Sequence, residues 1–245
     1  MPLIEHLPPG SAEPDALVEA FIDHAATTGL DLYPAQEEAV LELFDENHVI
    51  LATPTGSGKS LVGRAGHFGA LAAGRRSFYT APIKALVSEK FFELSRELGA
   101  DNVGMITGDA SVNPSAAIVC CTQEILANLA LRRGSNADVG LAVIDEFHYY
   151  ADPQRGWAWQ VPLLELTNTQ FLLMSATLGP TERFEHDLEA RTGRPVVTVR
   201  SAERPVPLDF DYRNTPIHES VETLLETGRA PVYVVYFTQR SALEA

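Results

Sequence analysis

Short apolar, β-branched runs recur along the chain, separated by stretches of helical periodicity. His48 to Ala52, Ser77 to Thr80, Val103 to Ile106, Ala117 to Cys121, Leu141 to Ile144 and Phe171 to Met174 read as strands. Several are continuously apolar, as strands buried on both faces must be. Helix candidates fall between them at Ala35 to Phe44, Lys59 to Ala73, Ala85 to Leu98, Gln123 to Leu131 and Glu182 to Arg191, with Gly74, Gly99, Gly134 and Gly193 placed where they would stop. This alternation predicts an α/β fold, a parallel β-sheet with helices on both faces. The pattern breaks at 201–216 (SAERPVPLDFDYRNTP), where Pro205, Pro207 and Pro216 interrupt it. A domain over residues 1–200 and a shorter segment over 201–245 are therefore expected. In that segment APVYVVYFTQRSALEA predicts one strand, Val232 to Phe237, and then a helix start. Without sheet partners Val232, Val234 and Phe237 would be exposed, and residues from about 205 onward mobile or prone to aggregate.

Composition narrows the class. A chain of 245 residues suits one complete domain plus a remnant, and 45% hydrophobic against 21% charged residues supports a core and excludes a disordered chain. No apolar stretch reaches the roughly 18 residues of a membrane helix, and MPLIEHLPPG lacks the features of a signal peptide, so a cytoplasmic protein without a membrane partner is expected. Cys120 and Cys121 are adjacent in an apolar run and read as reduced core residues. A net charge of −15, from 33 acids against 18 bases, argues against a broad basic groove, so any nucleic-acid site must be local. Lysine occurs only at Lys59, Lys84 and Lys90.

Lys59 closes the stretch Thr53-Pro54-Thr55-Gly56-Ser57-Gly58-Lys59-Ser60, which follows a strand and opens a helix, the context a phosphate-binding loop requires. Backbone N–H groups from Gly56 to Ser60 can wrap a phosphate and the helix N-terminus adds its positive end. Lys59 would neutralise the outer phosphates and Ser60 would ligate Mg2+. The general pattern has Gly where Thr53 stands. The alternative is a Gly-rich loop with a chance lysine.

The strand Leu141 to Ile144 delivers Asp145 and Glu146 to its carboxyl end, the edge at which open α/β sheets bind ligands. Asp145 would hold the Mg2+, and Glu146 would orient and deprotonate a water. A solvated acidic pair is the alternative.

With these two motifs, DEFH at Asp145 to His148 is a DExH box, and SAT at Ser175 to Thr177 follows the next strand. The set resembles superfamily 2 helicases. YPAQ (Tyr33 to Gln36) resembles the Q motif, APIKAL (Ala81 to Leu86) motif Ia, and TGD (Thr107 to Asp109) with CTQEIL (Cys121 to Leu126) the Ib region. DPQRGWAWQ (Asp152 to Gln160) resembles the stretch after the DExH box in Ski-type RNA helicases, with Gln160 in place of their Glu, and RPVPL (Arg204 to Leu208) resembles their passage into a second domain.

The resemblance implies a RecA-like P-loop NTPase domain followed by the start of a second one, whose later motifs, including arginines that reach the γ-phosphate, are not among these residues. It implies that Gln36 reads the adenine of ATP, that His148 couples the nucleotide site to the partner domain, and that Ser175 and Thr177 link to the DExH box by hydroxyl hydrogen bonds. Read alone, Gln36 is an exposed helix-start residue, His148 a polar strand-end residue, and the hydroxyls a cap or turn. Tyr33 packs near the base or in the core.

Nucleic acid would be held by Pro82, Ile83 and Lys84, by Gly108, and by Thr122, Gln123 and Glu124. All sit at strand-to-helix turns, whose backbone N–H groups and hydroxyls contact phosphates without reading bases. Without the resemblance each is a plain loop. Trp157 and Trp159 could stack on bases, with a core role favoured. The reading is an ATP-dependent helicase acting on RNA in preference to DNA, dependent on a further helicase domain for full activity. The alternatives are a DNA helicase of the same branch, or an ATP-loaded nucleic-acid-binding module that does not unwind.

Overall fold

The computed structural model describes residues 1–8, 10, 13–201 and 209–244. The chain divides into two compact units, Met1–Val206 and Pro207–Ala245. The first carries the elements α1 (Pro14–Thr27), α2 (Pro34–Phe44), β1 (His48–Ala52), α3 (Lys59–Ala72), β2 (Ser77–Ala81), α4 (Lys84–Leu98), β3 (Val103–Ile106), β4 (Ser111–Val112), β5 (Ile118–Thr122), α5 (Gln123–Arg133), β6 (Leu141–Ile144), α6 (Trp157–Glu165), β7 (Gln170–Ser175), α7 (Glu182–Thr192) and β8 (Val196–Arg200).

The eight strands form one sheet in the order β4-β3-β5-β2-β6-β7-β1-β8. All pairings are parallel except β3 with the two-residue β4. The centre is fixed by β6, which pairs β2 with Val143 opposite Tyr79 and β7 with Val143 opposite Leu172. Successive side chains of a strand point to opposite faces, so the sheet carries two cores. Val49, Leu51, Tyr79, Cys120, Val143 and Met174 pack under α1 to α4. Ile50, Phe78, Cys121, Ile144, Phe171 and Leu173 pack under α5 to α7. The adjacent Cys120 and Cys121 are both buried and free, one on each face. Burial pushes the Cys120 thiol up to about 12 and Cys121 higher still, so neither is a thiolate at neutral pH.

Six expected strands and five expected helices are present, with ends that coincide or differ by at most two residues. Four further elements of this unit lie outside those expectations. Pro14 at the first helical position starts α1, and Pro162 lies inside the short α6. The half-buried β8 adds to the sheet edge beside β1, and the two-residue β4 is exposed.

In the second unit α8 (Ile217–Glu226) and α9 (Gln239–Leu243) form. The helix start after Thr238 is as expected, and the Thr238 hydroxyl caps it by accepting from Ser241 N–H. The expected strand Val232 to Phe237 is not formed. A strand needs a partner for its N–H and C=O groups, and the described residues of this unit supply none. Val234 and Phe237 are exposed there, and Val232 is partly buried. The RPVPL segment lies within 202–208, outside the described residues. No described helix is long and apolar enough to cross a membrane.

Candidate nucleotide and nucleic-acid site

Because the strands run parallel, their carboxyl ends line one edge of the sheet, where loops bring distant parts of the sequence together. β1 ends into the loop Thr53 to Gly58, β2 into Pro82, β5 into Gln123, β6 into Asp145 and β7 into Ala176. A cleft at that edge is lined by Thr55, Gly56, Lys59, Ser60, Asp145 and Glu146.

The loop winds through Gly56 at φ +86° and Gly58 at φ +73°, left-handed conformations that cost a side chain about 1–2 kcal/mol. Gly58 is also the N-cap of α3. Thr53, in the place usually held by Gly, is buried and its hydroxyl lies 2.7 Å from that of Ser57, so the departure from the common pattern braces the loop from inside. Pro54 and Thr55 complete the curve. Lys59 Nζ donates to the carbonyls of Thr53 (2.8 Å) and Pro54 (3.0 Å). Burial lowers the Lys59 pKa, and the facing Glu146 and Asp145 oppose that shift.

Gln36 is buried in the first turn of α2, where its Oε1 accepts from Tyr33 N–H (2.9 Å) and its Nε2 donates to the carbonyls of Ser57 (2.9 Å) and Gly58 (3.2 Å). Its amide therefore ties α2 to the phosphate loop. Tyr33, Pro34 and Gln36 share a cavity with Thr53 and Ser57, and Tyr33 is half exposed there.

Asp145 is held on both oxygens. Oδ1 accepts from Glu146 N–H (2.9 Å), and Oδ2 accepts from the Tyr79 hydroxyl (2.7 Å). Burial and the neighbouring carboxylate push the Tyr79 phenol far above its ordinary range, so it stays a donor. Glu146 sits at φ +49°, ψ +47°, a left-handed backbone for a residue with a side chain. Its Oε2 lies 3.3 Å from His148 Nδ1, which lies 3.2 Å from Ser175 Oγ. Ser175 Oγ accepts from Thr177 N–H (3.2 Å). Glu146, His148 and Ser175 thus form one chain of contacts, in which Thr177 takes part through its backbone rather than its hydroxyl.

Ser60 Oγ accepts from Lys90 Nζ (3.0 Å), and the same ammonium pairs with Glu93 (2.6 Å). Neither Lys90 nor Tyr79 was singled out from sequence, where a lysine inside a helix and a tyrosine inside a strand carry no signal of their own. Ser60 and Asp145 present two hard oxygen donors with charged carboxylates nearby. That is the sparse set that suits Mg2+, which keeps several waters and takes its other ligands from substrate phosphates.

Along the same edge lie the turns expected from sequence to meet nucleic acid. Ile83 is half exposed. Lys84 Nζ pairs with Asp109 Oδ1 (2.8 Å), next to Gly108 in the chain, and this hydrogen bond holds the Asp109 carboxyl below its ordinary range. Thr122 is the N-cap of α5. The Gln123 side chain is fully buried and its Nε2 donates to Ala158 O (2.9 Å), so of this residue only the backbone can face a ligand. The buried side chain leaves the backbone N–H of Gln123 at the start of α5 as the group that could meet a phosphate. Glu124 pairs with Arg155. Trp159 is fully buried, the core role favoured for it, whereas Trp157 is 43% exposed. Gln160 Nε2 donates to Tyr150 O (2.8 Å), which the Glu usual at that position could not do when ionised.

Gly108, expected at a strand-to-helix turn, lies instead in the hairpin turn between the antiparallel β3 and β4, because the chain pairs back on β3 before a helix can start. A mostly parallel sheet that gathers a glycine-rich loop, an acid pair, two strand-to-helix turns and this hairpin turn at one edge defines a RecA-like domain. Among solved structures the fold is similar to the Hef helicase domain of Pyrococcus furiosus (TM-score 0.55, 20% identity, 73% of this chain and 40% of that one) and to a hypothetical ATP-dependent RNA helicase from Sulfolobus tokodaii (TM-score 0.58, 18% identity, 76% and 56%). The chain belongs to the DEAD/DEAH box helicase family, whose model matches residues 33–184.

Its relatives include the probable helicase HelY of Mycobacterium tuberculosis, 39% identical over 71% of this chain and 19% of that protein. The chloroplastic DExH-box ATP-dependent RNA helicase DExH15 of Arabidopsis thaliana is 35% identical over 79% of this chain and 17% of its own length. The antiviral helicase SKI2 of Saccharomyces cerevisiae is 34% identical over 72% and 14%. The chain spans a fifth or less of these relatives.

Proposed function

We propose that these residues form the ATP-binding half of an ATP-dependent helicase that acts on RNA. The observation that carries this reading is the cleft that places Lys59 and Ser60, at the N-terminus of α3, opposite Asp145 and Glu146 at the end of β6. The loop N–H groups and Lys59 bind the phosphates, Ser60 and Asp145 hold Mg2+, and the ion screens phosphate charge when bound. Glu146 accepts the proton of the attacking water, with His148 orienting it. Gln36 has its amide committed to the loop, so recognition of adenine requires it to exchange a loop carbonyl for the base.

RNA is favoured over DNA because relatives such as DExH15 carry RNA helicase in their names. Pro82 to Lys84, Gly108 and Thr122 to Glu124 supply a backbone-reading track.

Lys59 is the one cation among the described residues lining the cleft. Phosphoryl transfer in such enzymes draws on an arginine from a second domain or partner, worth about 10³–10⁵ in rate, or about 4–7 kcal/mol. Residues 1–245 alone are accordingly expected to bind ATP and RNA, hydrolyse slowly and not unwind. Phosphate release measured with and without RNA, and again with DNA, tests the reading. No nucleotide binding, or stimulation by DNA alone, rejects it.

A further inference from the structure

Two carboxylates, Asp109 and Glu124, stand on the track where an RNA backbone would run, in a chain of net charge −15. Each is paired. Asp109 has Lys84, from a neighbouring turn of the same track. Glu124 has Arg155, which comes from outside it. Arg155 Nε and Nη2 both donate to Glu124 Oε1 (3.1 and 2.7 Å), and Nη2 also donates to the Pro82 carbonyl (2.7 Å). One guanidinium therefore spans the turn after β2 and the first turn of α5.

The local fold presets it. Asp152 Oδ1 accepts from the N–H groups of Gln154 (2.8 Å) and Arg155 (2.7 Å), which closes a tight turn before α6. Gly156 is obligatory in that turn, since a Cβ there would lie 2.3 Å from Tyr150 O. The guanidinium carbon also lies over the rings of Trp159 (5.6 Å from the centroid) and Tyr149 (5.9 Å), within cation–π range. A planar fork that donates in two directions is the geometry arginine offers and lysine does not.

We infer that Arg155 is a positioning residue for RNA: it neutralises Glu124 and fixes the turn at Pro82 against α5, so that phosphates can lie along both. This rests on the proposed RNA-binding function and deepens it. Arg155 acts through Glu124 rather than by touching the phosphate, and that distinction is measurable. If the guanidinium bound the phosphate itself, no change at Glu124 could make up for its removal. An unmasked carboxylate, by contrast, is silenced by Glu124→Gln.

The test is a double-mutant cycle on residues 1–245, read by fluorescence anisotropy of a labelled single-stranded oligouridine, with thermal melting as the control for folding. Arg155→Ala should weaken RNA binding by about tenfold, and Arg155→Ala with Glu124→Gln should recover most of that loss. If Arg155→Ala does not fold, Arg155→Gln, which removes the charge and keeps much of the side chain, carries the same cycle, weakened alone and restored by Glu124→Gln. Wild-type affinity in the Arg155 variant, or a double variant no better than the single one, overturns the inference while leaving the function standing. A wild-type chain that binds no RNA overturns both.

Discussion

The Gln36 amide donates to the Gly58 carbonyl at 3.2 Å across a separation of 22 residues, and a Cβ added to Gly58 would lie 2.3 Å from the donating nitrogen. The start of α2 and the phosphate loop are thus one mechanical unit whose close approach depends on a missing side chain.

Gly58→Ala should therefore be harmful twice over. A left-handed alanine costs about 1–2 kcal/mol, and the methyl displaces the Gln36 amide from the loop. A melting temperature lower by several degrees and weaker binding of a fluorescent ATP analogue are expected. A variant that melts and binds like the parent would contradict the contact.

Lys59→Ala removes the only lysine in the cleft and two hydrogen bonds to loop carbonyls. A hydrogen bond from this ammonium to a phosphate oxygen would be worth about 1.5–3 kcal/mol, so without it analogue affinity should fall about tenfold or more. Titration of both proteins decides it, and equal affinities would remove Lys59 from the phosphate site.

Glu146→Gln keeps the side chain's shape and loses its capacity as a base. Joined to a second helicase domain, the variant should bind ATP normally while turnover falls by about 10²–10⁴. Single-turnover hydrolysis is the measurement, and a near-normal rate would assign the base to another residue.

Acid should destabilise the fold through two buried histidines. Burial depresses His48 to about 4 and His67 to about 3, below the ordinary 6.5. In the unfolded chain both take up protons as pH falls below 6.5, while the folded ones stay neutral, so stability is lost from about 6.5 down to 4 or 3. His48 Nδ1 accepts from Phe171 N–H at 3.0 Å, a bond that the protonated ring cannot make. Its share is about 3 kcal/mol across that window. Denaturation midpoints at pH 7, 5 and 4 should decline in that order, less steeply in His48→Gln, and a flat profile would refute the assignment.

The sheet was legible because buried parallel strands are short unbroken apolar runs, as with Val49 to Leu51 and Leu141 to Ile144. Their fully buried side chains are placed by nothing but hydrophobicity. The phosphate loop and acid pair were legible because their spacing is local. What sequence hid is set by contacts between remote segments. Tyr79 on Asp145, Lys90 on Ser60 and Arg155 on Glu124 join residues 66, 30 and 31 positions apart. The burial of the Gln123 side chain under α6 was hidden for the same reason. The stretch Val232 to Phe237 looked like a strand because composition reports β-propensity but not the availability of a neighbour to pair with.

The left-handed backbone of Glu146 sets stability and chemistry against each other at a single codon. Glycine would relax that conformation, and asparagine tolerates it better than glutamate. A library of variants sorted on thermal resistance alone would thus be drawn towards losing the one carboxylate proposed to activate water. Thermostabilisation of this domain should hold position 146 fixed.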